Sequence, residues 1–137
     1  MAVEIFGSYG GGLRVGLRHG PSDTEMHTAA PVDNHGDGSS FSPTDLVAAA
    51  LGSCMLSIMG IMAERDGIDL SDCRFTVEKH MTPEPPRRID RLPITIHMPS
   101  GLTAAQRKKL ERGALTCPVH RSLLPEIQKD VDFVYPD

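Results

Sequence analysis

Apolar and polar positions alternate near both ends of the chain and lose that alternation in its middle. Residues 3–9 alternate weakly. Leu13, Val15 and Leu17 then interleave with Arg14, Gly16 and Arg18. A period of two predicts strands, the second with one apolar and one basic face. Gly10-Gly11-Gly12 reads as the turn between them, and Gly20-Pro21-Ser22-Asp23 as the turn into a third short strand over 24–30. Residues 31–41, rich in Gly, Asp and Ser, read as a loop.

Ser42-Pro43-Thr44-Asp45 carries the signals of a helix start. Ser42 suits the N-cap, Pro43 the first helical position, and Asp45 completes an S-x-x-D box that also suits the helix dipole. The helix is predicted over 43–66, with Gly67 as its stop. Its apolar run from Leu46 to Ala63 is diluted by Gly52, Ser53, Cys54, Ser57 and Gly60. A bilayer span wants about 20 strongly apolar residues, so this one reads as a buried helix and no membrane association is expected. A helix with no polar face must be covered all round, and one sheet of a chain this short covers only part of it.

Downstream, Cys73, Phe75 and Val77 alternate with Arg74, Thr76 and Glu78 as a fourth strand, which the Pro-rich segment 83–88 breaks. A fifth strand is predicted over 89–98, with Pro93 at an edge or a bulge. Thr103-Ala104-Ala105-Gln106 resembles a capping box and opens a helix to about Ala114. Cys117-Pro118 starts a further short helix, and Val131, Phe133 and Tyr135 alternate in a last strand. The order βββα-ββααβ clusters its strands, which indicates an α+β fold in one domain spanning 1–137.

Composition narrows the function. Hydrophobic residues make up 39% and charged residues 23%, the profile of a globular chain. The net charge of −4, with no Trp and few other aromatics, argues against a general nucleic-acid binder. The first residues lack a basic start followed by an apolar core, so no signal peptide is expected. Three cysteines in such a chain suggest a reducing, cytoplasmic setting, and the odd count argues against a disulfide framework.

The cysteines are the candidate chemistry. Cys54 lies among small residues in Ala50-Leu51-Gly52-Ser53-Cys54-Met55 and reads either as a small core residue or as a sulfur that a ligand can approach. Cys117 precedes a Pro that opens a helix, where the dipole is expected to lower its pKa and favour thiolate, with His120 and Arg121 nearby. A plain N-cap role is the alternative. Cys73, on the apolar face of a strand, reads as core. A thiol on a buried helix and one at a helix start would suit an attacking and a resolving pair. Cys117-x-x-His120 and the scattered His19, His27 and His35 lack a second tight pair, so no metal is expected. Gly10-Gly11-Gly12 lacks the context of a phosphate loop.

Residues 41–54, Phe-Ser-Pro-Thr-Asp-Leu-Val-Ala-Ala-Ala-Leu-Gly-Ser-Cys, and 114–123, Ala-Leu-Thr-Cys-Pro-Val-His-Arg-Ser-Leu, resemble the two cysteine segments of the OsmC/Ohr family of osmotically induced and organic hydroperoxide resistance proteins. The predicted element order resembles that family along nearly the whole chain. The resemblance implies an intertwined homodimer whose long central helices pack together inside wrapped sheets. It implies thiol peroxidase chemistry at the subunit interface, with Cys54 peroxidatic and Cys117 resolving. No bound cofactor is implied; the resemblance suggests an external dithiol reductant of lipoyl type. Family peroxidases activate the first thiolate with an Arg and with a Glu just after the Pro. Here Thr44 holds that place and Asp45 follows it. Asp45, Arg14 and Arg18 are the candidates for activation, and Leu51, Met55 and Leu123 for an apolar substrate pocket. The missing Glu motivates a second hypothesis, a non-enzymatic dimer that binds a small apolar ligand or senses redox state.

Overall fold

The computed structural model describes every residue, Met1–Asp137, as eight strands and three α-helices. The chain divides into two compact units, Met1–Leu46 and Val47–Asp137.

The first unit is an antiparallel sheet of β1 (Ile5–Gly11), β2 (Arg14–His19) and β3 (Glu25–Ala29), in that order. The predicted triple-glycine turn is corrected: Gly10 and Gly11 belong to β1, and Gly12 and Leu13 make the turn. Gly11, Gly12 and Leu13 all have positive φ, 83°, 63° and 61°. The register shifts between Tyr9 and Gly11, so a bulge absorbs one glycine and moves the turn along the chain. A loop containing a single 3₁₀ turn, Val32–Asn34, returns to the sheet, where Ala29 N–H donates to Phe41 O at 3.0 Å.

Helix α1 (Pro43–Asp66) has the predicted bounds. Asp45 N–H donates to Ser42 Oγ at 3.1 Å and Ser42 N–H donates to Asp45 Oδ2 at 2.9 Å, a reciprocal capping box. At the other end Gly67 takes φ 70°, and Ile68 N–H reaches back to Ala63 O at 2.8 Å.

The second unit carries a sheet ordered β4 (Arg74–Val77), β7 (Ile94–His97), β8 (Val131–Val134), with β7 and β8 parallel. A separate pair joins β5 (His80–Met81) to β6 (Ile89–Arg91). The predicted fifth strand is therefore two strands, broken at Leu92-Pro93. Pro93 has no N–H to give a ladder. On either side of it, Leu92 N–H bonds Gln128 O at 2.7 Å and Ile94 N–H bonds Asp130 O at 2.8 Å.

The core of this unit joins Phe75, Ile94, Ile96 and Phe133 of the sheet to Leu51, Met55 and Met59 of α1. Gly52 brings α1 close to the sheet, because a Cβ there would lie 2.2 Å from the Phe75 ring. Helix α2 (Ala104–Ala114) opens with the predicted box between Thr103 and Gln106 and buries Leu110, Gly113 and Ala114. Gly113 lies over Met62 of α1. The C-terminus is tied to α2: Tyr135 donates to Glu111 Oε2 at 2.5 Å, while Arg107 stacks 4.0 Å over the Tyr135 ring and pairs with Asp137 at 2.8 Å.

Within the chain α1 is covered on one side only. Ala50, Ser53, Ser57, Ile61 and Glu64 of its other side are exposed. By length and composition alone α1 could cross a membrane, with a mean hydropathy of 2.1. Its Leu51–Met59 stripe is nevertheless the packed centre of this unit.

Candidate active site

Cys54 projects from the middle of α1 and is partly exposed. Cys117 is the N-cap of α3 (Pro118–Ser122) and is completely buried. Its position follows from local sequence. Pro118 pre-sets the first helical residue, and His120 N–H donates to Cys117 Sγ at 3.2 Å. The fold brings this sulfur beside Cys54, close enough for the neighbouring thiol to raise the Cys117 pKa.

The expected drop in the Cys117 pKa is overturned. Burial, the largest influence, pushes the thiol up; the His120 N–H pulls it down, and contact with Cys54 pushes it up again. The helix it caps has only 5 residues, so its dipole is too short to offset desolvation. The neighbouring thiol thus adds to burial in favouring the protonated form of Cys117. His120 is held towards its neutral form, first by burial and then by the positive charge of Lys129.

Cys73 stands apart from this pair. Its thiol donates to Met98 Sδ at 3.9 Å, and burial raises its pKa. Leu51 and Met55 are wholly buried in the core, so within the chain they pack its interior, whereas Leu123 is partly buried against that core. Asp45 is engaged in the capping box with Ser42. Arg14 pairs with Asp37 at 2.5 Å, and Arg18 pairs with Asp23 at 3.0 Å and stacks 4.4 Å over Phe6. Both arginines are thus partnered inside the first unit. No group of three His, Cys, Asp or Glu side chains is placed to hold a metal. The Tyr135–Glu111–Arg107–Asp137 network beside α2 escaped the sequence reading, because its members are spread over 31 residues and share no local pattern.

The OsmC-like protein family profile matches residues 36–132, a span that contains both cysteines of the pair. The chain belongs to the OsmC family. A crystal structure from Psychrobacter arcticus 273-4, provisionally described as an osmotic stress induced and detoxification response protein, is 40% identical. It superposes with a TM-score of 0.91 over 98% of this chain and 97% of that one. An organic hydroperoxide resistance protein OsmC from Legionella pneumophila shares the fold at 19% identity, with a TM-score of 0.72 over 97% and 96% of the two chains. One from Elizabethkingia anophelis does so at 15% identity, with a TM-score of 0.77 over 98% and 96%. No curated protein aligns significantly with the chain. This OsmC-family chain is accordingly α+β, in a family associated with redox and stress responses.

Proposed function

We propose that this protein is a cysteine-based peroxidase that reduces organic hydroperoxides. The observation that carries the reading is the placing of a partly exposed Cys54 beside a buried Cys117 in an OsmC-family chain. Cys54, as thiolate, attacks the terminal peroxide oxygen. The O–O bond breaks, the alcohol leaves with a proton, and Cys54 becomes a sulfenic acid. Cys117 then attacks that sulfur, expelling water and forming the Cys54–Cys117 disulfide. An external dithiol, of the lipoyl type in this reading, returns both thiols and is itself oxidised to a disulfide. The protein works in the cytoplasm as a homodimer, which covers the exposed side of α1. Arg14, Arg18 and Asp45 are the candidates to activate the Cys54 thiolate, each engaged within the first unit. Leu123, partly buried at the edge of the core, supplies apolar surface for the organic substituent, with Leu51 and Met55 packed behind it in the interior.

Stoichiometric consumption of cumene hydroperoxide, followed by intact mass spectrometry, tests this. Cys54→Ser should consume none. Cys117→Ser should consume about one equivalent and stop as sulfenic acid or an over-oxidised form. Cys73→Ser should behave as wild type. Reversed behaviour of the first two variants would exchange their roles, and indifference to both would remove the peroxidase reading. The second reading, a non-enzymatic redox sensor or ligand-binding dimer, draws on Asp45, Arg14 and Arg18 each being engaged elsewhere. It predicts no turnover above the Cys54→Ser level.

A further inference from the structure

Helix α3 has only 5 residues, too few for a helix to persist unaided in water. It nevertheless carries one of the two thiols. Cys117 is its N-cap, and the His120 N–H meets Cys117 Sγ only while that first turn is helical. The N-terminal end of α3 is held by α2, where Cys117 N–H donates to Ala114 O at 3.3 Å and Thr116 N–H to Gly113 O at 3.0 Å. Its C-terminal end leads through Leu123 into a turn that closes from Ile127 N–H to Leu124 O at 3.1 Å. Pro125 occupies the turn position whose φ proline pre-sets.

The two ends of this turn are secured differently. Beyond Ile127 the backbone is bonded to β6 and its neighbour: Gln128 N–H donates to Asp90 O at 3.0 Å, and Leu92 N–H donates to Gln128 O at 2.7 Å. The end next to α3 is secured by a side chain. Lys129, half-buried, turns its ammonium back along the chain and donates to Leu124 O at 3.2 Å and Ile127 O at 2.8 Å. Its charge also reaches His120 of α3, which it helps to hold neutral. Val119 and Leu123 pack against the core as well, but apolar contact has no fixed direction. Hydrogen bonds from an ammonium are directional and stronger than neutral ones. Lys129 therefore ties the far end of α3 to a segment that β6 already holds.

We infer that Lys129 is a positioning residue for the second chemical step: by clamping the Leu124–Ile127 turn it keeps α3 helical and Cys117 beside Cys54. The inference rests on the peroxidase reading and adds the residue that sets how fast the second thiol answers. Two fates compete for the Cys54 sulfenic acid. In one, Cys117 gives up its proton and attacks the Cys54 sulfur. The S–O bond breaks, the S–S bond forms, and hydroxide leaves with that proton as water. In the other, a second hydroperoxide gives an oxygen to the sulfenic acid, which becomes sulfinic acid while the alcohol departs. A frayed α3 slows the first path. It leaves the second unchanged, because that path needs nothing from Cys117.

The partition between the two fates measures this, whatever the rate of the first step. Reduced full-length protein is exposed to a series of cumene hydroperoxide concentrations with no reductant present. Intact mass then separates the disulfide, lighter by two hydrogens, from the sulfinic form, heavier by two oxygens. Lys129→Met keeps the apolar stem and loses the donor. It should reach half sulfinic product at a peroxide concentration about three- to tenfold below wild type, the factor given by loss of one hydrogen bond of ordinary net strength. Lys129→Arg keeps the charge and the donors and should restore the wild-type partition. Tyr135→Phe, which loses its bond to Glu111, controls for stability: it should melt lower and still partition as wild type. Should Lys129→Met not fold, Lys129→Gln takes its place with the same expectation. A wild-type partition in the neutral variant, an equal shift in Tyr135→Phe, or no rescue by arginine would overturn this inference alone. A wild type that forms no disulfide would overturn the peroxidase reading and this inference with it.

Discussion

Gly52 lets α1 pass close to Phe75 of the second unit's sheet, and its replacement by alanine gives a sharp test of that packing. A Cβ at Gly52 would sit 2.2, 2.4 and 2.6 Å from three atoms of the Phe75 ring, where ordinary contact begins at 3.4 Å. The ring must therefore retreat by about 1 Å. Overpacking of this kind costs about 1–3 kcal/mol. The better helix propensity of alanine offsets up to about 1 kcal/mol. Phe75 is a rigid plane backed by the core rather than a flexible chain end, so the cost falls in the upper part of its range. The net destabilisation should be about 1–2 kcal/mol, which for a chain this size lowers Tm by roughly 3–10 °C. Thermal melts by circular dichroism, at one fixed protein concentration because assembly contributes to Tm, measure it. Phe75→Leu in the Gly52→Ala background should be less damaging than the sum of the single changes, since the smaller side chain makes room. Gly113→Ala is the internal comparison: its Cβ meets the thioether of Met62, which can swing aside, so it should cost less. A Gly52→Ala protein that melts at or above wild type, or strict additivity with Phe75→Leu, would refute the close approach.

Light scattering at micromolar concentration should give twice the 14.9 kDa chain mass, because the side of α1 left uncovered carries Ala50, Ile61 and only the small polar Ser53 and Ser57 before Glu64; a stable folded monomer would contradict this. Stability should fall as pH rises above about 9, where the raised pKa values of Cys73 and Cys117 let the unfolded chain lose protons first. It should also fall as pH drops below about 6.5, since the lowered pKa of His120 lets the unfolded chain gain a proton first; urea melts across pH 5–10 would show both limbs, and a flat profile would contradict the burial of these groups. Bulky alkyl hydroperoxides should exceed hydrogen peroxide in kcat/KM, at roughly 0.8 kcal/mol per buried methylene, and equal values would mean the organic part is not bound.

The bounds of α1 were legible in the sequence because its ends are local events: a Ser42–Asp45 box spans four residues, and Gly67 needs only its own backbone freedom. The same holds for α2 and for the Pro118 start of α3. The cysteine segments were legible as motifs, for the same reason of short range. Tertiary structure decided the rest. Pro93 marked a disturbance, but only the neighbouring 128–130 segment, which takes up the N–H groups of Leu92 and Ile94, turned it into a break between two sheets. The local dipole argument for Cys117 pointed the wrong way, because desolvation depends on what the whole unit folds over that sulfur, and none of it is written in the Pro118 turn. The meeting of Cys54 and Cys117 belongs to the same class. Each thiol is positioned by its own helix, but their contact depends on how α1 packs against the segment after α2, through close approaches such as Gly113 on Met62 that no spacing in the chain encodes.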